Sequence, residues 1–299
     1  MTKRFLDCSA TDFRAMNKRE ILTSIKASEG RVLVSELISP VQPLLYDISN
    51  AELAAAFGAD ILLLNMFDVC NPVFHGLRKP TPNRIIEEIR ELTGRIVGVN
   101  LEAVDDASDL TPGRRASVAI AGKAREMGVS LIVITGNPGT LVSNINIVSA
   151  IDSIKNELGE ELIIVAGKMH AAGLLSESGE QIIKEEDAIE FIEAGCDVLL
   201  LPAPGTVPGI TMDHIRGLVK LAHSKGVLTM TAIGTSQEGA DEQTIRNIAL
   251  MCKMTGTDLH HIGDTGYPGI AIPENIMSYS IAIRGRRHTY SRMARSINR

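Results

Sequence analysis

The sequence predicts a single (βα)8 barrel, a TIM barrel, with an extra helix at its N-terminus. Three observations lead there. A chain of 299 residues with 44% apolar content can bury one large core. Eight times along it a helix-like stretch closes on a glycine and an apolar run follows, at Gly30, Gly58, Gly94, Gly128, Gly159, Gly195, Gly226 and Gly256. These glycines fall 28 to 36 residues apart, about the length of one βα unit. Glycine suits the position just past a helix because it adopts the left-handed conformation without a Cβ clash. An open, doubly wound sheet is the alternative, but eight even repeats without a low-complexity linker favour closure.

The elements follow in order. Residues 1–30 are expected to form a helical extension, with "NKREILTSIKASEG" starting at Asn17 and Glu20 in the reciprocal capping position. Its expected place is the barrel floor or a subunit contact. Residues 31–299 are the barrel. The first strand runs through "RVLVSE" to Glu36, and "SNAELAAAFG" then opens with a capping box, Ser49 to Glu52. The second strand ends at Asn65. "TPNRIIEEIRELTG" carries Pro82 in its first turn and leads into the third strand, "RIVGVNLE". "SLIVIT", "ELIIVAG" and "DVLLLP" supply the next three strands, the last preceded by the helically periodic "EEDAIEFIEAG". "VLTMTAIG" and "DLHHIG" close the ring.

Alternation assigns the faces. On the third strand Val97, Val99 and Leu101 face the helices, while Gly98, Asn100 and Glu102 face the axis. On the fifth, Ala166, Lys168 and His170 share one face, and the polar pair at its end places that face toward the axis. Active sites of such barrels lie at the carboxyl ends of the strands. The candidates there are Glu36, Asn65, Asn100, Glu102, Thr135, Asn137, Lys168, His170 and Asp264. Only one of His260 and His261 can face the axis. A buried ammonium needs a partner, so Lys168 is expected to pair with Glu102 or Glu36, as a structural ion pair or as part of the chemistry. Gly234, Thr235 and Ser236 after the seventh strand, with Gly263, Thr265 and Gly266 after the eighth, offer backbone N–H groups and hydroxyls where these barrels commonly hold phosphate. Tight turns are the alternative use of those glycines.

Composition narrows the partners. With 30 basic against 36 acidic residues, the net charge of −6 argues against nucleic acid and anionic membranes. Cys8, Cys70, Cys196 and Cys252 form no CxxC pair and read as reduced thiols. No signal-like start and no apolar run of roughly 20 residues is present, so a cytoplasmic chain is expected. "RGRRHTYSRMARSINR" packs six arginines into sixteen residues and reads as a solvated tail or a subunit contact; a homo-oligomer is expected.

Two resemblances add to this. "EEDAIEFIEAGCDVLLLPAPG", and faintly "ELIIVAGKMHAAG", are similar to a helix-and-strand unit of the phosphoenolpyruvate mutase and isocitrate lyase superfamily. That resemblance implies metal-assisted enolate chemistry. Those enzymes hold magnesium through an Asp-x-Asp on the third strand, where this chain has Asn100-Leu101-Glu102, and their Lys-Cys-Gly-His loop has no counterpart here. Through "ELAAAFGADILLLNMFDVCNP", "TGNPGT", "AGKMHAAG" and "HHIGDTGYPG" the chain also resembles an uncharacterised bacterial family associated with sugar phosphotransferase systems. Its members sometimes carry a haloacid dehalogenase-like hydrolase label. Such hydrolases use an Asp-x-Asp on their first strand; "RFLDCSATD" has Asp7-Cys8-Ser9.

The expected function is lyase or isomerase chemistry on a small phosphorylated or carboxylated metabolite, plausibly sugar-derived. Lys168 would be a Schiff-base nucleophile or an electrostatic stabiliser, Glu102 the general base and His170 a proton shuttle. No cofactor is required, but a magnesium ion on Glu102, Asn100 and Glu36 is the second expectation. A catalytically silent barrel that senses a phosphosugar, or serves a transport protein, is the third.

Overall fold

Eight parallel strands pair in sequence order and the eighth returns to the first, closing a barrel. They are β1 (Val32–Ile38), β2 (Ile61–Asn65), β3 (Ile96–Glu102), β4 (Leu131–Thr135), β5 (Ile163–Gly167), β6 (Val198–Pro202), β7 (Leu228–Ile233) and β8 (Leu259–Ile262). This computed structural model describes residues 3–78, 81–105, 108–136, 142–169 and 178–299. Helices α1 (Ala10–Ala15) and α2 (Lys18–Lys26) precede the barrel. Helices α3 (Asn50–Ala56), α4 (Ile85–Thr93), α5 (Val118–Glu126), α6 (Asn144–Leu158), α7 (Glu185–Glu193), α8 (Met212–Ser224), α9 (Glu242–Thr255) and α10 (Pro273–Met293) surround it.

Every strand begins two to four residues after its marker glycine. Seven of the eight glycines have positive φ, as expected of a residue past a helix; Gly159 is the exception, right-handed at φ −63°. Gly30 shows a second reason for the residue type. A Cβ there would lie 2.5 Å from the Thr257 carbonyl oxygen, where the chain passes under β8.

Two apolar layers result. Leu33, Leu62, Val99, Ile134, Ala166 and Leu199 point outward and pack under the helices. Val34, Leu63, Val133, Val165, Leu200 and Met230 fill the interior, and Phe5, Phe13, Ile21 and Ile25 belong to the same inner cluster. The N-terminal segment therefore floors the barrel. Asn17 and Glu20 cap α2 reciprocally as the sequence indicates. Asp7 lies in a one-turn 3-10 helix, Phe5–Asp7, paired with Arg4 at 2.7 Å and not on a strand.

A Gly-x-Asp repeat organises the floor. Asp60, Asp197 and Asp258 each follow a marker glycine by two residues, and each accepts the N–H of a neighbouring strand's residue at 2.8 Å: Leu33, Ile164 and Thr229. A buried carboxylate then needs a cation or a hydrogen-bond donor. Lys18 reaches Asp197 at 2.6 Å, His223 reaches Asp258 at 2.8 Å, and Asp60 is held by Arg284 and Arg292. The arginine-rich C-terminus is thus no solvated tail throughout. Arg284 and Arg292 are fully buried, and Arg292 also donates to the carbonyls of Phe5 and Cys8. Spacing alone could not reveal that α10 crosses the floor beside Asp60.

The pair joining α2 to the barrel gives a measurable expectation. Burial pushes the Lys18 ammonium down, and Asp197 opposes that shift. Lys18→Met removes the cation and leaves Asp197 with only the more distant Lys155, at 3.9 Å. A loss of about 3 kcal/mol in urea unfolding is expected, typical of a broken buried pair. A loss below about 0.5 kcal/mol would mean that the pair behaves like an exposed one.

Candidate active site

The carboxyl ends of the strands surround a cavity of about 350 Å³. Inward residues at the strand ends build its wall: Glu36 on β1, Asn65 on β2, Asn100 and Glu102 on β3, and Thr135 on β4. Glu238 and Asp264 come from the loops after β7 and β8. The third-strand face assignment holds, since Val97, Val99 and Leu101 lie in the outer layer. Between the histidines, His261 faces the site and reaches Glu36 at 3.2 Å. His260 faces outward against the Tyr279 hydroxyl, and burial pushes its imidazole down to about 4.

The polar groups are linked. Asn100 donates its amide to Glu36 Oε1, so Glu36 has both oxygens engaged. Asn65 donates to Asp264 Oδ2 at 2.9 Å. Glu102 Oε1 pairs with Arg114 Nη2 at 2.5 Å. Arg114 ends a 3-10 turn, Pro112–Arg114, that sits tightly on the segment after β2. A Cβ on Gly113 would lie 1.8 Å from Asp68 Oδ1, so only glycine lets the turn dock there. Arg114 supplies a cation beside Glu102.

Ile163 and Val165 fill the interior while Ile164 and Ala166 pack outward, so Ala166 lies on the face opposite to the one assigned from the sequence. Lys168 follows the strand, is buried, and is not among the residues lining the cavity. Met169, predicted to face away, lines the cavity instead. The strand is apolar on both faces, and without alternation the end charge misassigned the parity. His170 and Asn137 lie outside the described residues.

The phosphate loops are corrected in part. Both reach the cavity, through Gly234, Thr235 and Ser236 and through Gly263 and Gly266. In the second loop the chain's own carboxylates take the donors: Thr265 N–H goes to Glu238 Oε1 at 3.0 Å and Gly266 N–H to Asp264 Oδ1 at 2.8 Å. Gly263 makes room, since a Cβ there would lie 2.8 Å from Ile233 O and 3.2 Å from the Glu238 carboxyl carbon. In the first loop the Thr235 hydroxyl has its one proton taken within the chain, by Thr206 O at 2.8 Å or Gln237 Oε1 at 2.6 Å. Among the described residues no hydrogen bond uses the N–H groups of Gly234, Thr235 and Ser236. Thr235 and Ser236 hold φ of 61° and 69°, a left-handed pair that non-glycine residues rarely adopt.

Glu238 is the residue that sequence reasoning missed. It is 4% exposed, and its backbone carbonyl is pinned by Asn275 Nδ2 from α10 at 3.0 Å. Burial pushes its carboxyl up, against backbone hydrogen bonds that favour the ion, and the Asp264 charge adds to the rise. Burial also raises Asp264, helped by Glu36 and opposed by the Asn65 hydrogen bond. Among the described residues, four buried atoms of the wall have no hydrogen-bond partner: Asn100 Oδ1, Glu102 Oε2, Thr135 Oγ1 and Glu238 Oε2.

The residues expected to hold magnesium have partners within the wall. Glu36 is committed to Asn100 and His261, and the Arg114 charge stands beside Glu102. Among the described residues no group of three or more His, Cys, Asp or Glu is placed to hold a metal. No described helix is long and apolar enough to cross a membrane.

Comparison with solved structures agrees with the barrel. A substituted carboxyl transferase domain of Rhizobium etli pyruvate carboxylase, solved with pyruvate, superposes with a TM-score of 0.56 at 13% identity. The match covers 95% of this chain and 52% of that one, so the chain spans about half the length of that neighbour. Thiamine phosphate pyrophosphorylase from Pyrococcus furiosus gives a TM-score of 0.48 at 15% identity, covering 85% of this chain and 96% of that one. At 13% identity the likeness to the carboxyl transferase domain is one of fold. No curated protein matches the sequence. The family model described as "Domain of unknown function (DUF7916)" matches residues 6–299, and the chain belongs to that family.

Proposed function

We propose that the chain is an enzyme that moves protons on a small, hydroxylated, anionic metabolite, by lyase or isomerase chemistry. One observation carries the reading: four buried polar atoms without hydrogen-bond partners among the described residues, on β3, on β4 and in the loop after β7, belong to the wall of one cavity at the catalytic end of the barrel. Glu102 is the general base. Arg114 holds one of its oxygens and leaves the other toward the ligand. Glu238, whose carboxyl burial pushes up, is the general acid. Asn65, Asn100 and Thr135 suit hydroxyl groups, which donate to and accept from the same side chains.

The anionic end belongs away from the carboxylates of Glu36, Glu102 and Asp264. The unengaged N–H groups at Gly234, Thr235 and Ser236 are its place. A thermal-shift screen of phosphosugars and 2-oxo acids, followed by turnover assays on the hits, tests the reading. Gly234→Val should weaken phosphorylated hits by at least about tenfold, roughly 1.4 kcal/mol, and unphosphorylated analogues far less. Equal weakening of both classes would show that the loop only makes a turn. Stabilising hits that are never turned over would favour a phosphosugar sensor over an enzyme.

A further inference from the structure

Beside the mouth lies a second hollow, of about 670 Å³, whose lining differs in kind. Ile38, Met66 and Gly266 are walls of both, so the two spaces adjoin. Where the mouth holds four carboxyl groups, the hollow has no charged side chain among its described walls, and Gln42 is its one polar side chain apart from the Tyr267 hydroxyl. Leu44 is 51% exposed and Tyr267 95%. Apolar groups so exposed would close on one another if they were free to do so.

The chain holds them apart. Asn50 accepts the Leu44 N–H at 2.9 Å and donates to Pro268 O at 3.5 Å, tying the loop after β1 to the loop after β8. Ile38 N–H donates to Gly269 O at 3.0 Å. Met66, at the divide, holds φ 56° while its N–H donates to Asn65 Oδ1 at 2.9 Å. Asn65 turns its amide to Asp264, so one side chain sets both the divide and the mouth. A strained, cross-tied apolar hollow opening onto a polar site is a preformed place for the apolar part of a ligand.

We propose that the substrate held in the mouth carries an aromatic ring, and that the ring lies in this hollow. The proposal rests on the mouth being a ligand site and narrows its substrate class. A ring fits better than a flexible alkyl chain. The flat faces of Pro40, Pro43 and Pro268, the Tyr267 phenol and the Met66 thioether all pack well on a planar π surface.

Methionine methyl groups make the test: Met169 lines the mouth alone and Met66 lines both spaces, so a Met66 response without a Met169 response marks the hollow. The full chain, labelled with ¹³C-methyl methionine, is titrated with phenol, methyl phosphate and phenyl phosphate. Phenol should move the Met66 methyl saturably and leave Met169 in place. Methyl phosphate should move Met169. Phenyl phosphate should move both and bind at least about tenfold more tightly than methyl phosphate. The double variant Leu44→Asp with Tyr267→Asp changes two exposed side chains, so it should fold, and it should lose both the phenol response and the tenfold advantage. A Met66 signal that ignores phenol, or an advantage that survives the double variant, overturns the proposal. A Met66 signal that shifts with protein concentration alone also overturns it, by placing a second copy in the hollow. If Met66 answers phenol but Met169 ignores both phosphates, the apolar site stands and the anionic reading of the mouth fails.

Discussion

Asp60→Asn should destabilise the protein by about 3–5 kcal/mol, the scale for breaking a buried ion pair. Asp60 is fully buried, pairs with Arg284 and Arg292, and accepts the Leu33 N–H through the same carboxylate. Asparagine keeps the size and one acceptor but removes the charge that compensates two buried guanidinium groups. Arg95 lies in the same floor, donating to the carbonyls of Ala59 and Arg292, and burial with the neighbouring Arg292 charge already pushes it down to about 9. With Asp60 neutral, three cations would share the site. Urea unfolding at pH 7 reads the loss directly. The pH dependence fixes the cause. Burial pushes the Asp60 carboxyl up, but Arg284 and Arg292 outweigh it and hold it below the usual aspartate range. Its stabilisation is therefore present above the ordinary aspartate range and lost as pH falls through the depressed folded value. Asp60→Asn should match the wild type in acid and fall behind as pH rises. A constant difference at all pH values would point to packing instead.

The fold was legible because its signals are local. A glycine past a helix, a capping box at Ser49 or Asn17 and an apolar run after each glycine act within a few residues, and all appear in the structure. The site was legible only where local pattern fixes orientation. Alternation on β3 put Asn100 and Glu102 inside correctly. On β5 the apolar residues fill both faces, so Lys168 carried no parity signal. Glu238 and Arg114 were invisible for another reason. Glu238 enters the wall because Gly263, across a strand boundary, leaves it space, and Arg114 arrives because Gly113 fits against Asp68. Both depend on contacts between segments far apart in the chain, which no local pattern encodes. The Gly-x-Asp repeat was different. It could have been read, because three buried-looking aspartates at one register of a repeat predict a side-chain partner for each.

Glu238→Gln should lower turnover by about 10²- to 10⁴-fold, the contribution of a general acid or base, while the fold survives. Glutamine keeps the oxygen that accepts the Thr265 N–H and keeps the volume beside Gly263. It cannot give up a proton. Stability should move the other way. A carboxyl raised in the folded state contributes stability below its unfolded value and loses it as pH rises through the raised folded value. Glu238→Gln should therefore be at least as stable as wild type at pH 8. Loss of activity without loss of stability separates a catalytic carboxyl from a structural one. The pH–rate profile adds a second check through Asp264, whose charge helps to raise Glu238. If Glu238 acts as the acid, wild-type turnover should fall as pH rises through its value. Asp264→Asn, by removing that charge, should shift the fall to lower pH. Glu102→Gln should lower turnover as severely. Near-normal turnover in Glu238→Gln, against a ligand that stabilises the wild type, would exclude it as the proton donor.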